Sequence, residues 1–313
     1  MTTATAVDEQ RDLGEHALRQ LELTVTRVLD GILAGDHRGL LPGAGSEAGD
    51  GRAYVPGDDV RRIDWNLTAR TTEPHVSDTV AERELEVWFV VDGSASLDFG
   101  TARHEKRRLA LVAVASFGLL AARGGNRIGA VVYDDRRISI HAPRTGRAGV
   151  HALLRRLDGR PRVSLVPDDG ERATSLAAAL RAVRNLALRR GLIVVVSDLL
   201  DTSEWQRELR ALGERHEIVV AQPRDPREDD LPPVGLLTLV DPETGRRREV
   251  QTSTPGLRER FAAAAADQRN EQRRAVLSAG ASHLDLSTDR DWLRDVVRFV
   301  VLRRRLGRTG ARR

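Results

Sequence analysis

Apolar and polar positions change period several times along the chain, and each change marks a predicted element. Leu18, Leu21, Val25, Val28, Leu29 and Ile32 recur at helical spacing, so residues 8–34 read as an amphipathic helix. A glycine-rich stretch over 35–57 follows, poor in apolar residues, and ends in the charged run Gly57-Asp58-Asp59-Val60-Arg61-Arg62-Ile63-Asp64-Trp65. From Glu86 the texture becomes alternating strand and helix. Val87 to Val91 is a continuous apolar run ending in Asp92, the pattern of a strand buried on both faces. A helix over 105–123 stops at Gly124-Gly125, and strands over 128–133 and 137–141 are joined by the turn Asp134-Asp135-Arg136. Helices over 146–157 and 174–190 precede strands over 192–197 and 217–222. Residues 223–233 read as a proline-bearing acidic loop, then a hairpin pairs 236–240 with 247–252. A helix over 256–277, a strand over 282–286 and a helix over 292–305 complete the series.

Strands separated by helices of this length imply a mainly parallel sheet with helices on both faces, an α/β fold of Rossmann-like type. In such sheets ligands bind where loops converge at the carboxyl ends of the strands. Three polar features fall at such places: Asp92-Gly93-Ser94-Ala95-Ser96 after the first strand, Thr174 opening a helix, and Asp198 after the strand Ile193 to Val196. Two carboxylates and three hydroxyls form an all-oxygen donor set that suits a hard divalent ion such as Mg²⁺ or Mn²⁺. Each piece also has a plainer reading. Asp-x-Ser-x-Ser is a common turn or cap, Thr174 would serve as a helix N-cap, and Asp198 could lead into a helix from Thr202.

Composition narrows the chemistry. The 313 residues contain no cysteine, which removes disulfides, zinc-thiolate sites and cysteine nucleophiles. Lys106 is the sole lysine among 50 basic residues, and it lies between Glu105 and Arg107, so no Walker A phosphate loop is present. The formal net charge is +4, with 40% hydrophobic and 31% charged residues, a balance that folds. Residues 1–11 lack the features of a secretory signal, and the longest apolar run, 109–122, is too short to span a bilayer. A soluble, cytoplasmic protein with no transmembrane segment is therefore expected.

Asp92-x-Ser94-x-Ser96, Thr174 within Thr174-Ser175-Leu176-Ala177-Ala178-Ala179-Leu180, and Ser197-Asp198 together resemble the metal-ion-dependent adhesion site of von Willebrand A domains. More narrowly, Arg52-x-Tyr54-x-Pro56-Gly57-Asp58-Asp59-x-Arg61-x-Ile63-Asp64-Trp65, followed by Ala69-Arg70, resembles the hallmark of the bacterial family called domain of unknown function 58. The resemblance implies a von Willebrand A-like domain over 86–306, preceded by a family-specific extension over 1–85 and followed by a basic tail over 307–313. It also implies association with a MoxR-type AAA+ ATPase and a role as adaptor or chaperone component.

These readings converge on a non-enzymatic interaction module. Asp92, Ser94, Ser96, Thr174 and Asp198 are expected to hold one Mg²⁺ or Mn²⁺, whose open position takes an acidic residue of the partner. Asp58, Asp59, Arg61, Asp64 and Trp65 form either an internally paired turn with Ile63 and Trp65 buried, or a docking surface. Two rivals use the same residues differently. Metal-activated water on Asp92 and Asp198 would hydrolyse phosphoesters, although no histidine lies in these loops and His104 falls at the next helix start. The arginines Arg303, Arg304, Arg305, Arg308, Arg312 and Arg313 would attract nucleic acid or an anionic surface, but no aromatic platform accompanies them, and no nucleic-acid partner is expected.

Overall fold

The structure is a computed structural model that describes residues 19–21, 23–27, 52–55, 58, 60, 63, 65–71, 73–76, 85–134, 136–162, 174–240 and 246–310, with backbone alone at 52, 66 and 304–310. Two short strands, β1 (Arg52–Ala53) and β2 (His75–Val76), pair antiparallel around helix α1 (Trp65–Thr71). The main body begins with β3 (Glu86–Asp92), α2 (Lys106–Arg123), β4 (Arg127–Tyr133), β5 (Ile138–Thr145) and α3 (Gly146–Asp158). It continues with α4 (Leu176–Leu186), β6 (Leu192–Val196), α5 (Trp205–Gly213) and β7 (Glu217–Arg224). The ribbon β8 (Leu236–Val240) and β9 (Arg247–Gln251) follows, then α6 (Pro255–Ser278), β10 (Ser282–Ser287) and α7 (Trp292–Gly310).

Six strands form one sheet in the order β10-β7-β6-β3-β4-β5, parallel except for the antiparallel edge pair β4–β5. β3 lies inside, bonded to β4 on one side and β6 on the other, with Asp92 opposite Tyr133 and Val91 opposite Val196. Its side chains alternate between two apolar layers. Val87, Phe89 and Val91 join α2, α3 and α7, whereas Trp88 and Val90 join α4, α5 and α6. This double burial explains why the strand reads as an unbroken apolar run. Leu21 and Val25, in the described part of the N-terminal helix, pack into the first layer at 2% exposure each.

The mainly parallel α/β architecture expected from the sequence is met, with several boundaries moved. β5 runs on to Thr145, because its register with β4 shifts at a bulge near Gly129 and pairing then resumes. The helix expected over 174–190 is α4, Leu176–Leu186, and its N-cap is Ser175, whose hydroxyl accepts from the Ala178 amide at 3.2 Å. Thr174 is therefore not the cap. The stretch expected as a loop over 223–233 keeps strand pairing to Arg224 and then forms a single 3-10 turn, Pro226–Glu228. Asp225 closes that turn in a capping box with Glu228, a tertiary-scale lock that proline content alone conceals. Trp65, the first residue of α1, is 72% exposed, so of the two readings given for its segment the one with Trp65 buried is not met. The glycine-rich stretch up to 51, residues Gly57, Asp59, Arg61, Arg62 and Asp64, the loop 163–173 and the tail 311–313 lie outside the described residues.

Phe89 is fully buried in the inner strand, so Phe89→Ala should cost about 3–5 kcal/mol of unfolding free energy. Leu236, 64% exposed on the outer ribbon, should change it by less than about 0.5 kcal/mol as alanine. Urea titrations of the two variants check the contrast, and equal losses would contradict this account of the core.

Candidate metal centre

Neighbouring parallel strands end side by side, so β3 and β6 deliver Asp92 and Ser197-Asp198 to the same place. The turn after β3 is tight. The Asp92 carboxylate Oδ1 accepts the Ser94 amide at 2.9 Å, and the 3-10 turn Ala95–Asp98 follows directly. Ser94 Oγ lies 3.0 Å from Ser96 Oγ, and the Ser96 hydroxyl donates to Asp198 Oδ2 at 2.7 Å. Asp92 Oδ2 accepts from the Tyr133 hydroxyl at 2.7 Å and from the Ser197 hydroxyl at 2.9 Å. Asp198 Oδ1 accepts the Leu200 amide at 3.1 Å. Leu199 between them has a φ of 60°, a left-handed conformation a leucine adopts only when its neighbours hold it there. Its amide donates to Ser197 Oγ, and its carbonyl accepts from Gln272, which is itself bonded to Gln222.

Lys106 completes the centre. As the first residue of α2 it is fully buried, and its ammonium donates to Asp198 Oδ2 at 2.7 Å and also to Glu228 Oε1. Burial by itself would lower the ammonium pKa, yet the charges of Asp198 and Glu228 raise it well above the usual lysine value. Burial likewise works to raise Asp198, but Lys106 outweighs it and holds that carboxyl below its ordinary value. Asp92 goes the other way, raised by burial and then by the nearby charge of Asp198. Its neighbouring cation is Arg160, which bonds Asp134 Oδ2 at 2.7 Å and the Gly93 carbonyl at 3.4 Å. The guanidinium lies so close over Gly93 that a β-carbon there would collide with it. Beside Asp92 is a cavity of about 30 Å³, lined among others by Ser94, Asp98, Arg107 and Arg160, room for about one water molecule.

Four of the five expected ligands thus come together: Asp92, Ser94, Ser96 and Asp198. Thr174 does not join their hydrogen-bond network, because its hydroxyl donates to the Asp134 carbonyl at the end of β4. The donor atoms are all oxygen, the right chemistry for a hard cation. Their present partners are the obstacle. Asp198 Oδ2 already serves an ammonium and a hydroxyl, both Asp92 oxygens are engaged, and the adjoining cavity is walled by guanidinium groups. In this arrangement the residues do not fit a divalent ion. Sequence reasoning missed Lys106, Glu228, Tyr133 and Arg160. One signal was available for the first: a chain that uses arginine everywhere else keeps lysine at this position. Of the proposed docking residues, Asp58 accepts the Val55 amide at 3.0 Å, Trp65 is exposed, and Asp59, Arg61 and Asp64 lie outside the described residues.

The family model described as "Protein of unknown function DUF58" matches residues 50–271. An uncharacterized protein of Mycobacterium tuberculosis is 50% identical over 289 residues, covering 92% of this chain and 89% of its own length. One from Mycobacterium avium is 44% identical over 162 residues, covering 52% and 92% respectively. Among solved structures, the conserved hypothetical protein BatB from Bacteroides thetaiotaomicron has a TM-score of 0.40 at 14% identity, covering 70% of this chain and 98% of that one. The SpRpn10 VWA domain has a TM-score of 0.37 at 12% identity, covering 68% and 94%.

Asp225 supports the centre from behind, since its capping box positions Glu228. Fully buried, it accepts from the Thr101 amide and hydroxyl at 2.7 and 2.6 Å and from Thr288 Oγ1 at 2.7 Å. Burial pushes its pKa up, but these donors hold it below the ordinary aspartate value. A depressed carboxyl contributes stability that is present above the unfolded value and lost as pH falls through the folded one. Asp225→Asn should therefore lose about 2 kcal/mol near neutral pH, and the gap to wild type should close below about pH 4. Denaturant unfolding across that range measures it; a gap that stays constant down to acid pH would rule out the ionised form as the stabilising one.

Proposed function

The chain belongs to the family described as "Protein of unknown function DUF58", and on that premise we propose that it is a non-enzymatic interaction module whose partner is a MoxR-type AAA+ ATPase. One observation carries the reading. The side-chain oxygens of Asp92, Ser94, Ser96 and Asp198 are buried and spent on internal partners, so this centre shapes loops and offers no free nucleophile or base. Loops held this rigidly suit recognition, because little conformational entropy is lost on binding. Phe99, 39% exposed just beyond the Asp92 turn, and Trp65, 72% exposed in the family-specific segment, are apolar anchors of the kind favoured at interfaces. An acidic residue of the partner would find Arg107 and Arg160 at the rim, both part-exposed at 18% and 21%.

A second form of the reading keeps a divalent ion. Its support is the all-oxygen donor set, in which Asp92, Ser94, Ser96 and Asp198 would hold Mg²⁺ or Mn²⁺ and present it to the partner's carboxylate, without Thr174, which is turned to the Asp134 carbonyl. The hydrogen bonds already made by these groups favour the metal-free form. Among the described residues no helix is long and apolar enough to cross a membrane.

Binding of the full chain to a purified MoxR-type ATPase, measured by surface plasmon resonance, tests the module. Trp65→Ala should weaken it at least about tenfold while leaving the melting temperature unchanged, as expected for an exposed hot-spot side chain. Undiminished binding by both Trp65→Ala and Phe99→Ala would remove this surface from the proposal. A chelator added during the same measurement separates the two forms, since only the metal-dependent one loses binding.

A further inference from the structure

Three loops at the carboxyl end of the sheet, those after β3, β6 and β7, are tied directly or through one hydroxyl to a single ammonium group. Lys106 Nζ bonds Asp198 from the β6 loop and Glu228 from the turn after β7, and Ser96 from the β3 loop shares the same Asp198 oxygen. Glu228 is no chance neighbour. Its other oxygen, Oε2, accepts the Asp225 amide at 3.0 Å, so the capping box aims the carboxylate at the lysine. The lysine backbone is fixed as well, since its amide donates to the Phe99 carbonyl at 2.9 Å.

These contacts match what a divalent ion does in such a place: it neutralises converging carboxylates and crosslinks the loops that carry them. An ion using Asp198 Oδ2 would have to displace an ammonium that is 0% exposed and sits in the first turn of α2. Leaving the ammonium in place puts two cations on one oxygen. Asp92 differs: its oxygens accept from the Ser94 amide and the Tyr133 and Ser197 hydroxyls, and Arg160 nearby is bonded to Asp134.

We propose that Lys106 is the resident cation of this centre, a covalently attached substitute for a divalent ion, so that the loops are assembled in the folded chain without metal. The recognition role of those loops rests on the function proposed above, but the identity of the cation does not. A lysine, unlike an ion, cannot be exchanged or chelated, so the module is constitutively in its binding-ready form. Arginine would not serve equally. Its planar fork is wider than an ammonium and directs its donors in a fixed plane, whereas the lysine head is a compact point charge that fits between two carboxylates.

Because the chain has one lysine, labelling with ¹⁵N-lysine gives one side-chain signal. In the folded wild type that ammonium should be protected from exchange and from acylation by an amine-reactive ester, and calorimetry with Mg²⁺ or Mn²⁺ should show no one-site binding. Lys106→Met should lower the melting temperature and gain a dependence on Mg²⁺ or Mn²⁺ that equal ionic strength of sodium chloride does not reproduce. Two wild-type results would overturn the proposal even if that variant fails to fold: a one-site isotherm abolished in Asp92→Ala, or acylation of Lys106 as fast as in the unfolded chain. None of these measurements involves the ATPase, so loss of partner binding and loss of the resident cation are read separately.

Discussion

β3 has a bonded neighbour on each edge and an apolar helix layer on each face, so its polar side chains are confined to its two ends, Glu86 at the amino end and Asp92 at the carboxyl end. That constraint organises the rest of the molecule. Phe89 and Val91 commit one face to α2, α3 and α7, and Trp88 and Val90 commit the other to α4, α5 and α6. Asp92 places its charge at the carboxyl end, and β6 ends beside it with Ser197-Asp198 for the same reason. Placing two carboxylates at the ends of adjacent buried strands then creates the electrostatic problem that the surrounding residues answer.

Burying a carboxylate without a partner is costly, and burying two side by side more so. The protein answers with different partners for each. Asp198 receives an ammonium and stays ionised below its ordinary pKa, whereas Asp92 receives neutral hydroxyl and amide donors and a more distant guanidinium, and its pKa rises. Glu228 and Lys106 extend the answer to the turn after β7, and Asp225 locks that turn from behind. The network is continuous from β3 to β10, since Thr288 after β10 donates to Asp225. A buried network of this kind specifies one arrangement of loops, because a partly satisfied alternative would leave a charge unpaired.

The segment that carries the strongest family resemblance plays a different part. Its described portion forms a small ribbon, β1 with β2, to which Ile63 adds an isolated bridge with Val76. Val76 is buried, but Trp65, Val60 and Val55 are exposed at 72%, 60% and 57%. Exposed apolar side chains such as these contribute little to folding and are of the kind used in contact with another protein. The centre at the sheet's carboxyl end and this ribbon are thus complementary in character, one saturated and rigid, the other apolar and open.

Much of this was legible in the sequence. Unbroken apolar runs marked β3 and β6 as doubly buried strands, the alternation with helices gave a mainly parallel sheet, and the first carboxylate after each run identified Asp92 and Asp198. Such features depend on local periodicity, which the chain states directly. Thr174, Trp65 and Lys106 were misjudged or passed over because their roles depend on what lies opposite them in space. A threonine before a helix reads as a cap until Ser175 is seen to take that place, and a tryptophan reads as core until its surface is found exposed. Lysine at a helix start reads as a solvated charge. Only the packing of α2 against the ends of β6 and β7 brings its ammonium between two carboxylates 92 and 122 residues away, and contacts at such separation leave no period in the sequence.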